Sequence, residues 1–146
     1  MAIPADDLEP GEELLAHARV SFRGAATTST RATFALGSAR MRHKAFDQWR
    51  EGTDAAGFPS AGPEMVLAVT DRRLLVCYTT FWLSRPASAS GALELKRIHE
   101  TAVVRQGLVT TLAIVLDNGH IIEVEAMRGG AVRRIAAALD AARQRR

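Results

Sequence analysis

The sequence is poor in four things, and each shortage excludes something. Cysteine occurs once, at Cys77. A lone cysteine builds neither an intrachain disulfide nor a Cys-based metal site, and inside an apolar run it reads as a small buried hydrophobe. Lysine is almost missing: of 19 Lys and Arg residues, only Lys44 and Lys96 are Lys. Set beside the abundant Ala, this imbalance fits the codon usage of a GC-rich genome and is not a sign of phosphate selection. Aromatic residues make up 5% of the chain, with a single Tyr. They are not interleaved with basic residues on a strand, as single-stranded nucleic-acid platforms require, which argues against a nucleic acid partner. Long apolar runs are absent too. Stretches such as Leu112–Leu116 fall far short of the roughly 18 residues of a membrane span. The acidic start lacks a charged-then-apolar signal pattern, so the expected location is the cytoplasm.

Catalytic patterns are equally scarce. His17, His43, His99 and His120 fall on separate predicted elements without ligand-like spacing. There is no Gly-rich phosphate loop, no nucleophile elbow and no H-E-x-x-H. Glu123 and Glu125, two apart on a predicted strand, belong to a solvated sheet face and not to an acid/base pair in a cleft. The expectation is a chain without catalysis, cofactor or metal.

What the sequence does contain is a single domain, 1–146, with ordinary globular content: 47% hydrophobic and 24% charged. Its net charge of +3 is unevenly spread. Residues 1–15 hold Asp6, Asp7, Glu9, Glu12 and Glu13 and no cation, whereas 19–50 hold Arg19, Arg23, Arg31, Arg40, Arg42, Lys44 and Arg50 against Asp47 alone. Residues 128–146 hold six Arg against Asp140. Such asymmetry suits an anionic partner, and solvated faces produce it as well.

Pro10-Gly11 marks a turn, after which Leu14, Ala16, Ala18 and Val20 alternate as one face of a first strand. An insertion of about 24–64 follows. Within it, Met41, Ala45 and Trp49 recur four apart beside Phe46, predicting a helix over about 38–51, with Ser38 as N-cap and Gly52 as stop. The breaker-rich "DAAGFPSAGPE" predicts a loop. "MVLAVTDRRLLVCYTT", 65–80, predicts a β-hairpin. Thr-Asp-Arg-Arg is its turn, with Asp71 accepting nearby backbone amides and Arg72 and Arg73 pointing to water. "SRPASASG", 84–91, predicts a flexible loop, and strands follow over about 92–98 and 101–106.

The next hairpin turns at Asp117-Asn118-Gly119. A two-residue loop would place Glu123 and Glu125 opposite Ile114 and Leu112. A three-residue loop pairs Leu112 with Val124 and Ile114 with Ile122, which avoids burying carboxylates. The second register is expected, with Gly119 left-handed in a bulge. After Gly129-Gly130, which either hinges the chain or receives an anion at a helix N-terminus, Val132, Ile135, Ala136, Leu139 and Ala142 or Arg143 predict an amphipathic helix lying on the sheet.

The words "LEPGEELLA" (8–16), "LAVTDRRLLV" (67–76) and "TTLAIVLDNGHIIEVEA" (110–126), in this order, resemble bacterial PH-like domains of the YokE and GRAM-like type, within the pleckstrin-homology superfold. The resemblance covers about 8–22 and 65–144; the long segment 24–64 departs from it. It implies an α+β fold: a two-sheet, partly open antiparallel β-barrel of about seven short strands, capped by a C-terminal helix and carrying the helical insertion. It implies no ligand, because such folds bind lipids, peptides and proteins alike.

Three groups of residues are candidate contacts for a partner or anion. Arg40, Arg42, Lys44 and Arg50 flank the apolar Met41, Phe46 and Trp49, so this helix either lies on an anionic surface or packs on the sheet with its charges in water. Phe81 and Trp82 precede the Ser- and Pro-containing loop and either anchor a partner or fold back onto the core. Arg72 and Arg73 resemble, in place only, the basic residues with which some PH domains hold phosphoinositide headgroups. The reading is a non-catalytic binding module acting through protein–protein or peripheral membrane contacts. The alternative is small-ligand or nucleic-acid binding through its basic faces. A free edge strand leaves room for a homo-oligomer.

Overall fold

Alternation in the strand segments and a 3.6-residue period in the last one divide the chain into a sheet and a helix that covers it. The computed structural model describes residues 8–24, 38–59, 62–79, 86–127 and 129–145, with backbone alone at 38–43, 79 and 86–90. The elements run β1 (Leu14–Phe22), α1 (Ser38–Ala56), β2 (Glu64–Thr70), β3 (Arg73–Thr79), β4 (Pro86–Glu94), a 3₁₀ turn (Leu95–Arg97), β5 (Ile98–Gln106), β6 (Val109–Leu116), β7 (Ile121–Ala126) and α2 (Gly129–Gln144).

Among the described residues the seven strands form one open antiparallel sheet in the order β4-β3-β2-β1-β7-β6-β5. The seam between β1 and β7 is short: only Ser21↔Glu125 and Phe22↔Val124 are paired. α2 buries Val132, Ile135, Ala136, Leu139 and Ala142 in a core shared with Val20, Leu67, Val76, Leu93, Leu112, Ile114 and Val124 of the sheet. This is the predicted helical stripe, with Ala142 and not Arg143 facing inward. β2 and β3 are buried on both faces. Val66, Ala68, Leu75 and Cys77 form a second cluster, joined by Leu8 and Leu14.

The β6–β7 hairpin has the predicted register, Leu112↔Val124 and Ile114↔Ile122. Gly119 has φ +87°, and the Leu116 amide donates to His120 O at 2.8 Å across the three-residue loop. The acids are less solvated than expected. Glu123 pairs with Arg23 at 2.8 Å, and Glu125 is buried, accepting the Gly24 amide at 2.9 Å. The end of β1 covers that part of the outer face.

Four local expectations are corrected. An irregularity between Leu14 and Ala16 shifts the β1 register, so Leu14 joins the second cluster while Leu15 and Ala16 pack on the main core. Helix α1 passes Gly52 and ends at Gly57, which has φ +84°. The Phe58 amide reaches Thr53 O and the Gly57 amide reaches Asp54 O, both at 3.0 Å, a Schellman closure that needs glycine at the left-handed position. Its last carbonyls are met from afar: Ala56 O accepts Asn118 Nδ2 at 3.1 Å and Arg97 Nη2 at 3.3 Å. Phe58, expected in a loop, is a core residue. Finally, "PASAS" is strand and not loop, hydrogen-bonded to β3 from Pro86 onward. A Cβ on Gly91 would meet Pro59 Cβ at 2.7 Å, so the glycine is where another segment approaches the strand.

Candidate functional site

The two arginines of the β2–β3 turn were expected in water. They instead lock the turn to the segment before β1. Arg73 donates from Nε to Glu12 Oε2 and from Nη2 to Glu12 Oε1, both at 2.9 Å, a bidentate pair. The Glu12 side chain is fully buried. It also accepts the Thr70 hydroxyl at 2.7 Å and the Glu9 amide at 2.9 Å. Burial pushes the Glu12 carboxyl up. The hydrogen bonds from Arg73, Glu9 and Thr70, with the Arg73 charge, outweigh that and hold it at about 2 against an ordinary 4.5. Arg72 Nη1 reaches Glu9 Oε2 at 3.2 Å. The turn's local cap is Thr70, whose hydroxyl oxygen accepts the Arg72 and Arg73 amides at 3.1 and 3.0 Å. Asp71 reaches out instead: its Oδ1 accepts the Glu13 amide and its own amide donates to Glu13 O, each at 3.0 Å. Thr70, Asp71 and Arg73 are thus bonded to Glu12 and Glu13, and the two sequence words "PGEE" and "TDRR" form one interlocked unit.

The helix α1 surface divides. Phe46 is buried, stacked at 5.9 Å on Trp49 and tilted at 5.7 Å to Phe22. Trp49 Nε1 donates to Glu123 O at 2.9 Å. This part of the apolar face packs against β1 and β7, with Phe46 buried and Trp49 half-buried. Lys44 and Arg50 are exposed, Arg50 at 3.5 Å from Asp54 one turn on. The side chains of Arg40 and Arg42, and all of Phe81 and Trp82, lie outside the described residues. An open groove of about 520 Å³ runs between α1 and β7, lined by Arg23, Gln48, Trp49, Thr53, His120 and Glu123 among others. Its acid and its arginine are already paired with each other.

A different cluster was not foreseen. Gly107 and Leu108 turn between β5 and β6, and Gly107 takes φ +62°. Leu108 is 75% exposed at this tip, and Met127, just after β7, is 60% exposed. Both line a cleft of about 180 Å³ with Arg105, Thr110, Gly129 and Arg133. Met127 also borders a second cleft, of about 450 Å³, where β1 and β7 diverge, and Arg134 lines it with the buried Glu125. Among the described residues, Arg105, Arg133 and Arg134 have no carboxylate partner; Arg105 Nε donates to Gly107 O at 3.3 Å. The result is two exposed apolar side chains among three exposed arginines. The six Arg of 128–146 gave half of this signal. The other half, Arg105 and Leu108, comes from a hairpin whose position against α2 only the fold supplies.

Among the described residues no helix is long and apolar enough to cross a membrane, and no three His, Cys, Asp or Glu side chains gather as metal ligands. No protein-family model matches the chain, and no curated protein matches it either.

Proposed function

We propose that this chain is a non-catalytic PH-like binding module that docks on an anionic membrane surface through the Leu108–Met127 cluster. The antiparallel strand order and the C-terminal helix on the inner face support the PH-like reading. One observation carries the membrane reading: Leu108 and Met127 stand exposed among Arg105, Arg133 and Arg134, none of which forms an ion pair among the described residues, although the buried Glu125 lines the cleft beside Arg134. Apolar side chains that dip below the headgroups and arginines that remain among them are the two ingredients of reversible interfacial binding. Each basic residue near an anionic surface adds about 1 kcal/mol at physiological salt.

The test is co-sedimentation with vesicles at low and physiological salt, neutral against anionic. The proposal expects pelleting with anionic vesicles only, weakened by salt and by Leu108→Asp. Absence of pelleting under every condition, or pelleting unaffected by Leu108→Asp, overturns it and turns attention to a protein partner.

A further inference from the structure

We infer that the start of α2 is a binding site for a terminal phosphate group, the membrane reading above making a phosphomonoester lipid headgroup its source. The site is built from both sides of one cleft. Thr110 lies directly opposite Arg105 in the β5–β6 pair, and α2 begins against it: a Cβ on Gly129 would stand 2.8 Å from Thr110 Oγ1. Glycine at this position lets the helix terminus approach the hydroxyl.

Thr110 is 2% exposed, and among the described residues its hydroxyl has no hydrogen-bond partner. Buried hydroxyls are normally paired. This one is packed against the helix start, at the lining of a cleft large enough for an ion of phosphate size. The first-turn amides of a helix have no acceptor within it. The charges tell the same story. Arg133 folds back on its own helix, its Nη1 2.9 Å from where a Gly129 Cβ would be. A cation there is repelled by the positive end of the helix dipole. Arg105 lines the same cleft, and among the described residues no carboxylate does. Two guanidinium groups, a helix N-terminus and an idle hydroxyl repel or waste one another until an anion sits among them.

A phosphodiester carries a single negative charge, fewer than the two guanidinium groups at the cleft. A terminal phosphate presents three oxygens and nearly two negative charges, and the neighbouring Leu108 and Met127 suit a ligand embedded in a membrane.

The full chain is titrated with inorganic phosphate, and separately with vesicles of phosphatidic acid or phosphatidylserine matched in surface charge. Thr110→Val and Thr110→Ser accompany the wild type. Inorganic phosphate should raise the melting temperature of the wild type, and phosphatidic acid vesicles should bind at least fivefold more tightly than phosphatidylserine. Thr110→Val should lose both effects while melting no lower than the wild type in phosphate-free buffer; Thr110→Ser should keep them. Vesicle binding that follows charge alone, equal for the two lipids and for Thr110→Val, overturns the phosphate site and leaves the membrane reading standing. A Thr110-dependent response to inorganic phosphate without vesicle binding keeps the site, assigns it a soluble phosphomonoester and overturns the membrane source.

Discussion

At the β2–β3 turn, Arg72 and Arg73 meet Glu9 and Glu12, and one of those carboxylates is fully buried. Around the start of α2, Arg105, Arg133 and Arg134 meet no carboxylate among the described residues and stand beside exposed Leu108 and Met127. In the sequence both groups are arginines near a turn. In the fold, the first is internal structure and the second is surface with charge to spare. The difference lies in the partners. Glu9 and Glu12, from the acid-rich start of the chain, reach the arginines of the β2–β3 turn and satisfy them, whereas among the described residues the cleft at the start of α2 has no carboxylate in its lining.

Substitutions can break this contrast. The largest expected effect is Arg73→Ala. It leaves the buried Glu12 carboxylate without its charge partner, and losing one member of a buried pair typically costs about 3–5 kcal/mol. Chemical denaturation measures it, and the folded fraction should bind anionic vesicles as before. A loss below about 1 kcal/mol would mean that Glu12 does not depend on Arg73.

Acid should undo the same lock. The Glu12 carboxyl lies near 2 when folded and near 4.5 when not, so below 4.5 the unfolded chain binds the extra proton. Its stabilisation is fully present above about pH 4.5 and is lost as pH falls toward about 2. The amount is on the order of 3 kcal/mol. Glu12→Gln should be less stable at neutral pH and flatter over that window, as denaturation across pH would show.

The second cluster should respond the other way. Arg105→Gln with Arg133→Gln and Arg134→Gln should change stability by no more than about 0.5 kcal/mol. It should weaken anionic vesicle binding by roughly 100-fold, at about 1 kcal/mol per charge. Arg72→Ala is the smallest change. Its pair with Glu9 is exposed, so the loss should stay below about 1 kcal/mol in a melt, with vesicle binding unchanged.

Legibility in the sequence followed how local the deciding physics was. The β6–β7 register was readable because one choice sets Glu123 opposite Ile114 and Glu125 opposite Leu112, a penalty visible within seventeen residues. The α2 stripe was readable from its period. β4 was missed because Pro, Ala and Ser carry little strand propensity; pairing with β3 makes it a strand. Gly52 was a plausible stop, but only at Gly57 does the chain bring Phe58 into the core. The Glu12–Arg73 lock spans 61 residues. Its signal, an acid cluster without cations and a turn with two arginines, was present but was read as two solvated features. The Gly129-Gly130 helix start was noticed as an anion candidate; Thr110, which completes it, came from a strand with no polar pattern of its own.

The most direct test of the central claim is an environment-sensitive fluorophore on the chain at Leu108→Cys, compared with one at Lys44→Cys on α1. Cys77 is buried and should not take the label. With anionic vesicles, the emission at position 108 should shift to the blue and the emission at position 44 should not. A shift at 44 alone, or none at 108 while the protein pellets, would contradict the assignment of the membrane face to the Leu108–Met127 cluster.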